Sequence, residues 1–395
     1  MNLEKILAAN QEARKLGKID IHDFALRNIF KWSNEFLKDV LNQYQILQKM
    51  RKKLPTWFEN NEVIAASFLN MEQCTSETIA NYKFKGLKGK IAVDLTGGFG
   101  VDTYHLTKKF DSVIYCETND SLLEIVKHNF NVLGVKNVYF KNIQAEEFLA
   151  KTDLQFDLIY LDPDRRNKIN KKLVFLDNLS PNLLDINQLI LNKAEKILIK
   201  LSPILDIAKA ASQLIGLQSV EILAQKNEVK ELVFTLESKI IDKSPVINST
   251  HIQNERIDTF SFYLNDETKA IAQYSEPKKY LYEANAAIMK SGGFKLISLR
   301  FGLTKIARHS HYYTSDDLIS NFQGKIFQVN RVYNFNSLVM KSFRNMHFNI
   351  LSRNFPLNPV TIAKKYHLNV GGELFLIFTQ NYKNEKIILS CIRSI

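Results

Sequence analysis

Between residues 90 and 236 the chain alternates seven short β-rich apolar runs with longer amphipathic stretches. The runs are Lys90–Leu95, Ser112–Glu117, Asn137–Phe140, Phe156–Leu161, Lys196–Leu201, Ser219–Gln225 and Glu231–Leu236. Helix-length segments separate the first six, so each strand reaches the next by a crossover, and crossovers build a mostly parallel sheet. Only Lys226–Lys230 separates the last two, which is too short for a crossover and predicts a closing antiparallel hairpin. The expected fold class is therefore α/β, a Rossmann-like seven-stranded sheet over residues 85–240. An ordinary dinucleotide-binding sheet lacks the final hairpin. Residues 1–84 read as an N-terminal helical region. Within Lys31–Lys53 the residues Trp32, Phe36, Val40, Tyr44 and Leu47 recur once per turn, and Pro55 stops the run. Beyond residue 241 come turn clusters at Ser291–Gly293 and Val370–Glu373, short strands and helices, and many Tyr, Phe, Lys and Arg. This reads as α+β modules.

The strongest chemical signal is VDLTGGFGVD, Val93–Asp102. An apolar strand runs into Asp94, Thr96 follows, and Gly97, Gly98 and Gly100 form a loop before a helix. Glycines let backbone approach a ligand without a Cβ in the way. Counted from Gly98, the third position of a G-x-G-x-x-G motif is Thr103, so a nicotinamide dinucleotide fits poorly. S-adenosylmethionine, which sets its carboxylate and ribose near such a loop, fits better. The second strand ends in Glu117, 20 residues after Gly97. An acid there accepts hydrogen bonds from both ribose hydroxyls. Asn119 or Asp120 then caps a helix that Gly134 ends. Gln144 and Ala145 follow the third strand, where such folds contact the adenine.

The fourth strand ends in YLDPDRR, Tyr160–Arg166. Ligands of an open α/β sheet sit at the carboxyl ends of its strands, which aims Asp162 and Pro163 at the reaction centre. Methyltransferases acting on an exocyclic amine carry Asp-Pro-Pro-aromatic or Asn-Pro-Pro-aromatic here. This chain has Asp164, Arg165 and Arg166 instead. Asp162, Pro163 and Asp164 are the candidate catalytic residues. Arg165 and Arg166, with Lys200 from IKLSP at the end of the fifth strand, are candidates for substrate binding.

Formal net charge is +12, which suits a polyanionic partner but also suits the Lys-, Asn- and Ile-rich composition of the whole chain. Cys74, Cys116 and Cys391 are odd in number and widely spaced, with neither a disulfide framework nor a zinc spacing. No secretory leader and no run of membrane-spanning length is visible, so a cytoplasmic protein without metal or membrane partner is expected.

Taken in order, MEQCTSE (Met71–Glu77), the glycine loop, YLDPDRR, IKLSP and KNEVKEL (Lys226–Leu232) resemble the bacterial class I S-adenosylmethionine-dependent methyltransferases that carry a THUMP-like C-terminal domain. The resemblance runs from about Lys53 to the C-terminus. It implies S-adenosylmethionine as cofactor. It implies a ferredoxin-like segment within 241–323, holding YLYEANAAIMKSGGFKLISLRFGL, and a THUMP-like domain over 324–395, holding SRNFPLNPVTIAKKY. It also implies that Glu72, Gln73 and Thr75 close over the cofactor, Gln73 being the contact expected from that segment. THUMP domains accompany tRNA-modifying enzymes, so the expected activity is methylation of a base in structured RNA, tRNA or rRNA. The competing readings are a methyltransferase acting on a protein or small molecule, and a non-catalytic cofactor-binding protein.

Overall fold

The computed structural model describes residues 3–165, 176–239, 243–253 and 256–394. Arg166 lies outside them, and of Arg165 the backbone alone is described. The chain divides into two compact units, Met1–Ser219 with Glu231–Lys243, and Val220–Lys230 with Ser244–Ile395.

The first unit opens with helices α1 (Leu3–Lys15), α2 (Ile21–Arg27), α3 (Asn34–Lys53), α4 (Pro55–Glu59), α5 (Phe68–Gln73) and α6 (Glu77–Lys83). Ser33, Ser67 and Ser76 cap α3, α5 and α6 by accepting a backbone N–H with their hydroxyls. Pro55 ends α3 as expected and also starts α4, where its missing N–H costs nothing. These helices share one apolar core with the next elements. Trp57 is 1% exposed and its ring lies 5.3 Å from Phe99 and 6.4 Å from Phe130, centroid to centroid. The helical region, expected as a separate piece ending at residue 84, is thus part of the same unit as the sheet.

The sheet is built from β1 (Gly89–Asp94), α7 (Val101–Thr107), β2 (Phe110–Cys116), α8 (Asp120–Val132), β3 (Val138–Lys141), α9 (Ala145–Lys151) and β4 (Phe156–Leu161). A two-residue strand β5 (Asp164–Arg165) pairs with β6 (Leu179–Ser180) outside it. Then come α10 (Leu183–Lys193), β7 (Ala194–Leu201), α11 (Ile207–Gln213), β8 (Leu217–Gln225) and β9 (Glu228–Glu237). The strand order is β3-β2-β1-β4-β7-β9-β8, with β1, β2, β3, β4 and β7 parallel and β9 antiparallel to β7. The interior runs Val93, Ile114, Ile159 and Ile197 are buried on both faces, which is why they read as unbroken apolar stretches. The expected closing hairpin is present. Its turn is shorter than expected, because Lys226 and Asn227 both adopt positive φ (54° and 58°) and turn the chain in two residues.

In the second unit β10 (Val246–Gln253) lies beside the end of β8 and pairs antiparallel with β11 (Arg256–Tyr263), extending the strand set beyond the expected seven. After α12 (Leu264–Lys269) come β12 (Tyr280–Ala284), α13 (Ala286–Ser291), α14 (Phe294–Phe301), β13 (Thr304–Lys305) and β14 (Tyr312–Ser315). They are followed by β15 (Gly324–Asn334), α15 (Ser337–Ser342), β16 (His347–Ser352), α16 (Pro359–Tyr366), β17 (Asn369–Gln380) and β18 (Lys386–Arg393). These strands form one seven-stranded sheet in the order β13-β14-β12-β15-β18-β17-β16. The stretches 241–323 and 324–395, expected as two modules, therefore meet in a single sheet through β12 and β15, with Glu283 opposite Lys325.

Candidate active site

A cavity of about 680 Å³ opens at the carboxyl ends of β1, β2 and β4, within the range of ~300–1,000 Å³ typical of small-molecule sites. Asp94, Thr96, Gly97, Gly98, Gly100, Glu117, Asn119, Gln144, Ala145, Gln73, Asp162, Asp164 and Lys200 all line it. The sequence-predicted cofactor residues thus come from four separate segments to one place. Pro163, buried, sits between the two aspartates.

The glycine loop is held from both ends. Asp94 Oδ1 accepts the Thr96 N–H at 3.0 Å, and Asp94 Oδ2 accepts the Thr103 hydroxyl at 2.6 Å. Burial, reinforced by the nearby Asp102 and Asp162, pushes the Asp94 carboxyl up to about 7 despite those two bonds. Gly97 is required because a Cβ there would lie 2.1 Å from the Tyr115 ring, whose hydroxyl donates to Gly98 O at 2.6 Å. Gly98 and Gly100 are required by φ values of +55° and +79°.

Glu117 leaves β2 with its carboxylate turned back on the loop. Oε2 accepts the Gly98 N–H at 3.0 Å and Oε1 the Asn119 N–H at 2.8 Å. Each oxygen keeps a second lone pair, so a diol can still donate to it. Asn119 caps α8 with its carbonyl oxygen, leaving its NH₂ as the donor it offers the cavity. Ile143, Gln144 and Ala145 form the wall after β3. This set of a diol acceptor, a tight glycine loop and a partly apolar wall fits a nucleoside with an amino-acid tail. Replacing Glu117 by Ala should weaken S-adenosylmethionine binding by about 1.5–3 kcal/mol, the loss expected for hydrogen bonds to a charged group. Calorimetry on the folded variant reads this directly, and native affinity would remove Glu117 from the cofactor contacts.

MEQCTSE delivers the opposite wall. Gln73, Cys74 and Thr75 line the cavity, whereas Glu72 turns away and pairs with Lys49 at 2.9 Å. Burial pushes the Cys74 thiol up to about 11, so it stands as a packed thiol and not as a nucleophile.

Asp162 follows β4. Its N–H donates to Thr96 Oγ1 at 2.6 Å, tying it to the glycine loop, and its Oδ2 accepts from Lys200 Nζ. Burial raises the Asp162 carboxyl above its ordinary range, with Lys200 acting against that rise. The side chain is still 40% exposed, because its open side faces the cavity. Behind it lies a buried charged cluster that sequence reasoning did not single out. Lys83 Nζ pairs with Asp102 Oδ1 at 2.8 Å and with Glu231 Oε1 at 2.9 Å. The Tyr160 and Thr75 hydroxyls each donate to Asp102 Oδ2 at 2.8 Å. Apart from Lys83, every member comes from a quoted motif. Thr75 belongs to MEQCTSE, Asp102 to the glycine loop, Tyr160 and Asp162 to YLDPDRR, Lys200 to IKLSP and Glu231 to KNEVKEL.

Residues 280–322 match a family model described as a ferredoxin-like domain, and residues 324–393 match one described as THUMP domain-like. Among solved structures, a candidate methyltransferase from Porphyromonas gingivalis W83 is similar over 100% of this chain and 100% of its own, with 28% identity and a TM-score of 0.87. An rRNA methylase from Streptococcus thermophilus covers 40% of this chain and 93% of its own at 17% identity and a TM-score of 0.30. A candidate methyltransferase from Streptococcus mutans, in complex with SAH, covers 41% of this chain and 96% of its own at 15% identity and a TM-score of 0.31. Likeness as weak as the last two carries no weight. No curated protein matches. No helix among the described residues is long and apolar enough to cross a membrane.

Proposed function

We propose that this chain, a class I S-adenosylmethionine-dependent methyltransferase with a THUMP-like C-terminal domain, methylates a base nitrogen in structured RNA, tRNA or rRNA. The observation that carries the catalytic half is Asp162, anchored to the glycine loop and facing the cofactor cavity at the end of β4. S-adenosylmethionine supplies an electrophilic methyl group. The chain supplies position. Glu117, Asn119, Gln73 and the Gln144–Ala145 wall hold the cofactor, and the Asp162 carboxylate accepts the N–H of the incoming amine and aims its lone pair. Pro163 fixes the backbone beside it. Arg165 and Arg166 remain proposed substrate contacts. Lys200 does not serve the substrate directly, since Asp162 already holds it. The three cysteines are free thiols, which suits a reducing cytoplasmic setting.

The RNA half is supported by the THUMP-like match and by which cations of the second unit are uncommitted. Arg353 is paired with Glu283, Lys278 with Asp316, and Lys295 and Arg300 donate to backbone carbonyls. Lys341, Arg344, Lys364 and Lys365 are exposed and take part in no ion pair among the described residues. They belong to α15, α16 and their flanks, which share one apolar core and are joined where the Asn345 N–H donates to His367 O at 2.8 Å. Cations so placed pair with phosphates.

The direct test incubates the protein and labelled S-adenosylmethionine with RNA from a strain lacking the gene. Label in a nucleoside after digestion supports the proposal, and label only in protein or small molecules refutes it. Changing the four cations to Glu should lower RNA affinity by about tenfold or more at ~0.15 M salt and flatten its salt dependence, each lost phosphate contact removing ~0.9 from the log–log slope. An unchanged slope would place the RNA contact elsewhere.

A further inference from the structure

Among the described residues, one cation sits on the Asp162 carboxylate. Lys200, the penultimate residue of β7, donates to Oδ2, and its ammonium also lies 3.4 Å from Thr75 Oγ1 and 3.9 Å from Asp102 Oδ2. Its side chain is 10% exposed, so its ammonium is held largely by these protein groups. Among the described residues, the charged and titratable groups around Asp162 are Lys200 of β7, Asp102 of α7, Lys83 of α6, Asp94 of β1, Tyr160 of β4 and Glu231 of β9, with Asp164 two residues on. Lys83 is already committed to Asp102 and Glu231. Remove Lys200, and the nearest uncompensated neighbours of Asp162 among the described residues are carboxyl groups. Like charges favour the protonated acid.

We infer that Lys200 is a positioning residue for methyl transfer: its ammonium, fixed by Thr75 and Asp102, orients the Asp162 carboxylate and keeps it ionised, leaving Oδ1 to accept the substrate's N–H. A protonated Asp162 would carry a donor and lose the charge that strengthens its acceptors, so it would hold the amine less well. The inference rests on the reading of Asp162 as the group that meets the substrate. It assigns the buried cluster a purpose, because Thr75 and Asp102 hold Lys200 as Lys200 holds Asp162. It also explains why a buried cation follows the apolar run Ile197–Ile199 near the end of β7, at a position read from the sequence as a substrate contact.

The experiment is a carboxyl NMR titration of the full chain carrying ¹³Cγ-aspartate, with the Asp162 signal identified by its loss in Asp162→Asn. Lys200→Met should move the Asp162 midpoint upward by about one pH unit or more, a tenfold gain in proton affinity. Lys200→Arg should restore most of the native midpoint. Lys83→Met should move it less than Lys200→Met. In parallel, the acid limb of the kcat profile for methyl transfer into RNA from a strain lacking the gene should shift upward with the midpoint, while KM for S-adenosylmethionine stays within a few-fold. A purely structural role would lower kcat without moving the limb. If Lys200→Met fails to fold, Lys200→Gln carries the same expectation. A native midpoint in a folded neutral variant overturns the inference. The titration needs no RNA, so a moved midpoint with no RNA methylation would sink the functional reading and leave this one standing.

Discussion

Asp162→Ala should lose methyl transfer by about 10²–10⁴-fold, the usual range when a positioned acid or base is removed, and should bind S-adenosylmethionine within a few-fold of native. The two effects should separate because Asp162 holds the glycine loop through its backbone and, in the proposed mechanism, the substrate through its side chain. Its N–H bond to Thr96 Oγ1 survives any substitution except proline. The loop's other anchors, Asp94 to Thr103 and Glu117 to Gly98, do not involve it. Single-turnover transfer of a labelled methyl group and calorimetry of cofactor binding measure the two quantities on one preparation. Asp162→Asn sharpens the comparison. It keeps the shape and one accepting oxygen but abolishes the charge that Lys200 faces, so it should fall between native and Ala. A native rate in the Ala variant would remove Asp162 from the mechanism. A matched loss of cofactor affinity would make it a binding residue instead.

The sequence carries the sheet well, because the inner parallel strands are buried on both faces and each connection between parallel strands is long enough to be read as a crossover. Most of the candidate cofactor residues are legible for a related reason: apart from Gln73 at the end of α5, they follow strand ends, and strand ends are what the apolar runs mark. Gly98 shows the limit. From sequence it stands for a gap left for the ligand, yet a Cβ there would meet only the Thr96 carbonyl oxygen, at 3.6 Å, and it is the positive φ that demands glycine. The gap is at Gly97, and the Tyr115 ring fills it. Hydrophobic periodicity says which way a side chain faces and never which charges will meet. Thr75 and Glu231 are 156 residues apart in sequence yet their side-chain oxygens lie 3.2 Å apart, Lys83 and Tyr160 are 77 apart and hydrogen-bonded, and no local pattern couples them. The order of short motifs was the available signal, since those motifs converge on one cluster. Lys83, outside every motif, had none. Nor does periodicity reveal that β10 and β11 lie beside β8, because a run such as Val246–Gln253 reads equally well as the edge of another module.

Lys83→Met should destabilise the protein by about 3–5 kcal/mol at neutral pH, the cost of taking one partner from a buried ion pair. The Lys83 side chain is 1% exposed, Asp102 10% and Glu231 6%, so two carboxylates would be left with no water to replace the lost ammonium. Lys200 cannot cover for it at 3.9 Å from Asp102 while bonded to Asp162. The dependence on pH follows from Asp102. Burial raises its carboxyl, but Lys83 and Lys200 outweigh burial and hold it below the ordinary carboxylate range. A carboxyl lowered on folding contributes stability that is present above its unfolded value, ~4, and is lost as pH falls through the folded one. Met at position 83 removes most of that lowering, so Asp102 protonates more readily in the folded variant. The difference in stability between native and variant should therefore be largest near neutrality and narrow as pH drops below ~4. Denaturation curves at several pH values test this. Adding Asp102→Asn and Glu231→Gln to the Met variant should recover part of the loss, because amides remain buried without charge. A Lys83→Met protein as stable as native at neutral pH would mean that water reaches the cluster. The helices before residue 84 would then be packed on the sheet without closing the site that Thr75 and Lys83 help to build.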